Sequence, residues 1–395
     1  MQSVSGHGFT LCASRVVSNI NNYKRFISLE QSLAPWLRRS RFFGFDGQSV
    51  RFIDSSRGQR AATWHMTVRS KSEPAVVDIS SQNVVTPSHA FVDGILGVPQ
   101  QHGEKESPAG TSDLIFMGTG TSEGVPRVSC LTHTSKRCPV CWGATKLGNR
   151  NRRRNTSLLV RYAAADGIKR NILIDAGKFF YHSALQWFPH YGVRNLDAVI
   201  ITHSHADAVG GLDDLRDWTN NVQKTIPIYV TRRDIEVMSK SHYYLVDPSV
   251  ITKGTAVSNL DWKLITEESF DVHGLKVTPL PVWHGPGYRS LGFRFGKVCY
   301  ISDVSEIPEA TYPLLENCDL LILDALRPDR SSTTHFGLPQ ALEEVRKIRP
   351  QRTLFTGMMH TMEHDEINTY LEKVGREEGL NLQLSFDGLR IPVTL

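Results

Sequence analysis

Imidazoles and carboxylates delivered together at strand ends are what a catalytic divalent metal needs, and this 395-residue chain presents four such deliveries. The apolar run at 198–202 leads straight into His203-Ser204-His205-Ala206-Asp207. The run at 275–280 leads to His284, the run at 298–302 ends on Asp303, and the run at 353–356 leads to His360. On extended backbone His203 and His205, two residues apart, point to the same side and can grip one ion. Asp207 is two residues further on and can reach a neighbouring ion. One strand-end histidine would be unremarkable. Four strand ends together read as convergence on one metal site at a sheet edge. The alternative is a polar loop with two solvated histidines; the apolar strand before them and Gly210-Gly211-Leu212 after them favour the metal. A catalytic zinc takes imidazole and carboxylate ligands and keeps a position open for water. The ion lowers the pKa of that water from about 15.7 toward 7, giving a metal-bound hydroxide at neutral pH.

A second ligand set is made of thiols. Cys130 is followed by Cys138-Pro139-Val140-Cys141, a Cys-x-x-Cys knuckle with a third cysteine nearby. Three thiolates and one imidazole form a closed tetrahedral structural zinc site. A disulfide between Cys138 and Cys141 is the alternative, and the odd third cysteine counts against it. His133 is one candidate for the imidazole. Cys299 and Cys318 sit in apolar runs and read as core thiols.

The elements that must carry these groups follow from hydrophobic period. Short apolar runs at 113–117, 157–162, 171–174, 198–202, 226–230, 275–280, 291–295, 298–302, 320–323, 353–356 and 389–393 predict strands. The spacing predicts helices over 178–188, 338–348 and 365–374, with Pro339 in the first turn of the second, where proline is tolerated. Many strands and few helices in mixed order predict an α/β fold of two mixed sheets covered by helices.

The N-terminal part differs. Residues 1–72 hold 11 Lys/Arg and 3 Asp/Glu; the rest of the chain holds 34 and 37, so the body is slightly acidic. Arg- and Ser-rich, acid-poor composition is that of an organelle transit peptide, disordered before import, and composition does not separate chloroplast from mitochondrion. The alternative is a disordered basic tail on a cytoplasmic protein. Residues 73–110, with Pro74, Pro87, Pro99 and Pro108, read as a linker, and 111–395 as one catalytic domain. No apolar run is long enough to span a bilayer, so no membrane partner is expected. An acidic body exerts no general pull on nucleic acid.

Thr202-His203-Ser204-His205-Ala206-Asp207, with Ile172-Leu173-Ile174-Asp175-Ala176-Gly177, resembles the signature of the metallo-β-lactamase superfamily. Gly118-Thr119-Gly120, Gly124-Val125-Pro126, the cysteine cluster, the stretch from Gly211 to Arg216, Tyr300-Ile301-Ser302-Asp303 and Thr334-His335-Phe336 are similar to the branch that contains the bacterial phosphonate-pathway phosphoribosyl cyclic phosphodiesterase. The likeness covers about residues 111–395. It implies an αββα sandwich, with one metal held by His203, His205 and His284 and bridged by Asp303. It implies a second metal on Asp207, Asp303 and His360, and Asp175 orienting ligands from behind. It also implies His364 as fourth ligand of the cysteine zinc, with His133 the rival, and His335 as proton donor to the leaving oxygen. An exposed loop histidine is the other reading of His335. Where the family pattern continues His-x-His-x-Asp-His, this chain has Ala208, and a methyl group cannot coordinate. That puts the second metal in question; Asp213 or Asp214 are candidate substitutes.

The expected activity is hydrolysis of a small phosphodiester, cyclic ones included. Asp207 and His335 are the catalytic candidates besides the metal ligands. Zinc is expected at both sites, with manganese admitted at the histidine site and a homodimer admitted as the assembly. Processing of RNA 3′ ends and thioester or lactam hydrolysis fit the same ligands. So does a non-catalytic metal-binding protein with a degraded second site. Arg150-Asn151-Arg152-Arg153-Arg154 reads as a solvated turn or a phosphate-steering cluster. Arg216 and Arg289 are weaker phosphate candidates, and Trp283 and Tyr288 read as packing or as substrate platforms.

Overall fold

The computed structural model describes residues 110–395 except 251 and 253, together with 40–45, 49–54 and 61–65. The remaining parts of the expected transit segment, and the linker up to residue 109, lie outside the described residues. The chain divides into two units, Met1–Val85 and Thr86–Leu395.

In the first unit, the described stretches differ from the structureless segment expected. Strands β1 (Ser40–Phe45), β2 (Ser49–Asp54) and β3 (Ala61–His65) form an antiparallel sheet in the order β1-β2-β3. Phe42, Phe43, Phe45, Val50, Phe52 and Ile53 supply the aromatic and β-branched side chains that favour extended backbone. The overall basic charge of residues 1–72 masked that local signal.

In the second unit, β4 (Ser112–Gly118), β5 (Ser157–Ala163), β6 (Lys169–Ile174), β7 (Ala198–Ile200), β8 (Ile226–Thr231) and β9 (Leu260–Ile265) belong to one sheet. A second holds β10 (Phe270–Val272), β11 (Leu275–Trp283), β12 (Arg289–Phe295), β13 (Val298–Ile301), β14 (Leu320–Asp324), β15 (Arg352–Thr356) and β16 (Leu382–Leu384). Then β17 (Arg390–Val393) returns to pair with β4. Each sheet has seven strands, ordered β17-β4-β5-β6-β7-β8-β9 and β10 through β16. Each is antiparallel at one end and parallel at the other, the parallel parts being β6 to β9 and β13 to β16.

Alternation along the strands builds the layers. Leu114, Phe116, Leu158, Val160, Ile172 and Ile174 face Val277, Phe293, Phe295, Tyr300, Ile322 and Leu354 across the space between the sheets. Their neighbours Ile115, Met117, Leu159 and Leu173 turn the other way, onto Phe180, Ala184, Trp187 and Phe188 of helix α1 (Phe180–Tyr191). A further helix, α2 (Arg232–Ser241), packs Met238 on the same side. The outer face of the second sheet is covered by α3 (Leu338–Ile348) and α4 (His364–Glu378). Their apolar positions, Leu338, Ala341, Leu342 and Val345 on one, Ile367, Leu371 and Val374 on the other, follow the helical period. The result is the αββα sandwich. Strands β9, β10 and β16 and helix α2 were not expected. The three strands are sheet edges, two of them only three residues long, and an edge needs little apolar sequence.

One buried ion network staples the sheet margin. Asp113 on β4 is fully buried and meets Arg161 on β5 at 2.5 and 2.7 Å, Arg390 on β17 at 3.0 Å and Lys169 on β6 at 3.4 Å. Burial would raise its pKa, but these cations outweigh it and hold the carboxyl below its usual range. Asp113→Ala is expected to cost about 3–5 kcal/mol, because it removes the carboxylate that the buried Arg161 guanidinium pairs with. Urea denaturation of wild type and variant measures it, and a loss under about 1 kcal/mol would show that water already screens the cluster.

Candidate metal centre

The strands of both sheets end at one edge, and their carboxyl ends deliver the side chains. His203 and His205 follow β7, His284 follows β11, Asp303 follows β13, and Asp324 is the last residue of β14. The metal-facing nitrogens of His203, His205 and His284 lie within 4.8 Å of one another, and so do the facing atoms of His284, Asp303 and His335. Asp303 Oδ2 is 3.8 Å from Nε2 of His203, His284 and His335 alike.

The partners behind these rings decide which nitrogen faces inward. Thr202 donates its hydroxyl to Asp175 Oδ2 at 2.7 Å, and its oxygen accepts from His203 Nδ1 at 2.8 Å. Asp175 Oδ1 also accepts the Thr202 N–H at 2.8 Å. Asp175 therefore orients His203 through the Thr202 hydroxyl. It does so from left-handed backbone at φ 61, a local strain of about 1 kcal/mol or more. His284 Nδ1 donates to the Thr334 carbonyl at 2.7 Å, which leaves Nε2 bare, 3.3 Å from His205 Nδ1. His203 Nε2 is buried with no hydrogen-bond partner. A bare, buried imidazole nitrogen among two more imidazoles and a carboxylate is a donor set that fits a divalent cation. Burial holds His203 neutral, its pKa pushed down to about 3, and depresses His205 and His284 as well. Neutral imidazoles are the form that binds metal. Burial raises Asp207, and the nearby Asp303 carboxylate adds to it. Asp303 goes the other way, because four surrounding imidazoles outweigh its burial.

The turn after β6 must pass close to the ligand loop. A Cβ at Gly177 would sit 1.9 Å from the Asp207 carbonyl oxygen, so only glycine allows that approach.

His335 belongs to this edge and is not an exposed loop residue. Its Nδ1 is 2.8 Å from Asp324 Oδ2. Burial opposes charge on the ring, but Asp324 outweighs it and lifts the pKa to about 9, while burial lifts Asp324 to about 7. The pair is best described as sharing one proton, with the positive end at His335 facing Asp303. In the sequence Asp324 is marked only by its place after an apolar run, as Asp303 is. Tyr288 is also at the site. Its ring stacks on His205 at 4.9 Å with planes 7° apart, and its hydroxyl is 3.1 Å from Ser204 Oγ.

Other expected residues lie elsewhere. His360 does not reach the histidine site. It closes the cysteine cluster: its Nδ1 is 3.3 Å from Cys138 Sγ and 3.5 Å from Cys130 Sγ, and these atoms form one group with Cys141. The reason is the turn that follows β15. After β15 the backbone turns back at Gly357 and Met358 bridges to Gly120, carrying the next residues to the thiol-bearing loop. His364, expected as the fourth ligand, begins helix α4 and is buried against Phe386 instead. His133 is exposed and bonds Ser135. The three thiols are free, not a disulfide. Backbone N–H groups of Arg127 and Cys141 point at the sulfurs of Cys141 and Cys138, each at 3.4 Å. Burial and the neighbouring thiols push Cys141 up to about 12, so a cation is what would let this cluster ionise. Three sulfurs and one nitrogen fit zinc. His360→Ala is expected to weaken zinc binding there by about 100-fold or more, and His364→Ala to leave it within a few-fold. Competition against a chromophoric chelator separates the two assignments.

Ala208 is 1% exposed and packs in the apolar cluster under α1. Asp213 pairs with Arg216, and together with Asp214 these line a groove beside Tyr181, Phe188 and Trp218, so neither acid substitutes for the missing imidazole. Apart from Arg150, which is exposed over the Phe386 ring, the basic cluster is tied into the fold and does not form a solvated turn or a phosphate clamp. Arg153 is buried and donates to the Met359 carbonyl and Asn151, Arg152 to the carbonyls of Ala144 and Thr145, and Arg154 to Gln186. Arg289 pairs with Glu267 and lies over the Trp283 ring.

Residues 170–358 match a family model described as the beta-lactamase superfamily domain. A solved diphosphatase of the PhnP family is 30% identical, with 72% of this chain covering 98% of that one at a TM-score of 0.59. The chain belongs to the metallo-β-lactamase superfamily. Zinc-bound PqqB from Methylobacterium extorquens shares the superfamily fold at 19% identity, over 71% of this chain and 100% of that one, with a TM-score of 0.54. A curated octanoyltransferase of Porphyromonas gingivalis is 31% identical over 255 residues, 64% of this chain. The match takes in 47% of that protein, so the chain spans about half its length.

Proposed function

We propose that this chain is a metal-dependent hydrolase of phosphodiesters, acting at the edge formed by His203, His205, His284, Asp303 and His335. The observation that carries the reading is the pairing of two groups at that edge. One is a set of neutral imidazoles and a carboxylate fit for a cation; the other is a histidine held as a proton donor by Asp324, 3.8 Å from the same carboxylate. A bound divalent ion supplies Lewis acidity and a more acidic water. The chain's own groups do the rest. Asp175 and Thr202 fix the His203 tautomer, the Thr334 carbonyl fixes that of His284, and Asp303 adds the negative charge that draws a cation to the imidazoles. His335 offers a proton from Nε2 to the departing alkoxide, and Asp324 stabilises the charge on the ring beforehand. Phosphodiester cleavage needs such a donor because an alkoxide is a poor leaving group. The PhnP-family diphosphatase supports phosphoryl chemistry over the alternatives. The octanoyltransferase likeness is weaker support for acyl transfer, since more than half of that protein has no counterpart here.

The test is a substrate panel on zinc- or manganese-loaded full-length protein: a chromogenic phosphodiester, a cyclic phosphodiester, a thioester, a β-lactam and a precursor tRNA. The proposal expects the diesters to be cleaved with kcat/KM at least about 100-fold above the others, a preference of roughly 2.7 kcal/mol. Preferred cleavage of the thioester or the RNA would contradict it.

A further inference from the structure

The resemblance called for a second cation beside Asp303, held by Asp207, His360 and an imidazole from position 208. The structure supplies neither imidazole. His360 stands among the thiols, and position 208 is a methyl group packed in the apolar layer under α1. The end of β15 offers no replacement. It carries Gly357, and a Cβ there would lie 2.1 Å from Asp324 Oδ1, so no side chain enters from that strand while Asp324 holds its place. Asp324 uses its other oxygen to grip His335 Nδ1 at 2.8 Å. His335 in turn presents Nε2 to Asp303 Oδ2, the same oxygen that His203 and His284 face, each at 3.8 Å. An ion shared by His335 and that oxygen would fall on the first site, not beside it. Among the described residues, only Asp207 and a shared Asp303 carboxylate remain for a separate ion.

We infer that the histidine–aspartate centre is built for one metal ion, because the imidazoles a second ion needs are missing from position 208, from position 360 and from the end of β15. Two carboxylates with no imidazole make a weak site for an ion beside one already held by three imidazoles. The inference rests on the reading that His203, His205, His284 and Asp303 bind an ion at all.

The experiment counts ions. Full-length protein is loaded with zinc, desalted and analysed for metal, and a Cys138→Ser/Cys141→Ser variant is treated in parallel. In a second preparation zinc is left on the thiols and manganese, which thiolates bind weakly, is added to the other centre. The inference expects two ions per wild-type chain, one per variant chain, and the six-line electron paramagnetic resonance spectrum of isolated manganese. His335→Ala should leave the count unchanged, since His335 is not a ligand of a second ion. Three ions per wild-type chain, a spin-coupled manganese spectrum, or loss of one ion in His335→Ala would overturn it. A wild-type chain that binds one zinc and no manganese would instead overturn the reading beneath it. Because the wild-type count and spectrum decide the matter alone, a cysteine variant that fails to fold does not leave the question open.

Discussion

His203→Ala is expected to lower kcat toward a phosphodiester by about 1000-fold, roughly 4 kcal/mol of transition-state stabilisation. That is the several kcal/mol a Lewis-acid cation contributes to phosphoryl transfer. The effect should be large, because His203 is the most deeply placed donor and its bare Nε2 has no hydrogen-bond partner. Thr202→Val, which removes only the hydroxyl between Asp175 and His203, should cost about 10- to 100-fold, mainly through weaker metal binding that added metal partly restores. Steady-state kinetics over a metal titration separates the two. If His203→Ala keeps wild-type kcat at saturating metal, the ion does not sit on this histidine.

The second large effect is expected at His335, and its size should depend on the substrate. General acid catalysis contributes about 100- to 10,000-fold when the leaving group needs a proton. With an alkyl leaving group, His335→Ala should lose about that much. With 4-nitrophenolate, which leaves without help, the loss should be under about 10-fold. Asp324→Asn should follow the same pattern more weakly, because an amide cannot hold the imidazolium as a carboxylate does. A loss equal for both leaving groups would mean that His335 positions substrate or metal and donates no proton.

Most of the fold was legible from hydrophobic period. The central strands are apolar on both faces, which a sandwich covered on both sides demands, and so they stand out as runs. The strands that escaped, β9, β10 and β16, are edges whose stability comes from pairing more than from apolar side chains. The site was legible where a ligand directly follows a strand, as His203, His205 and Asp303 do. It was misread where a loop intervenes. His360 lies four residues past β15, and those four residues carry it away from the histidines to the thiols. Nothing in spacing alone distinguishes His360 from His364; the turn at Gly357 decides it. Asp324 went unread because a single acid after an apolar run is common, and its importance depends on His335, eleven residues on, folding back to meet it.

Metal dependence tests the account most directly. Full-length protein is stripped with a chelator, assayed on a chromogenic phosphodiester, then reloaded with zinc or manganese and assayed again, beside His203→Ala treated identically. The account predicts turnover that vanishes on stripping, returns on reloading in wild type and stays about 1000-fold lower in the variant. Undiminished turnover by the stripped protein, or equal recovery in His203→Ala, would contradict it.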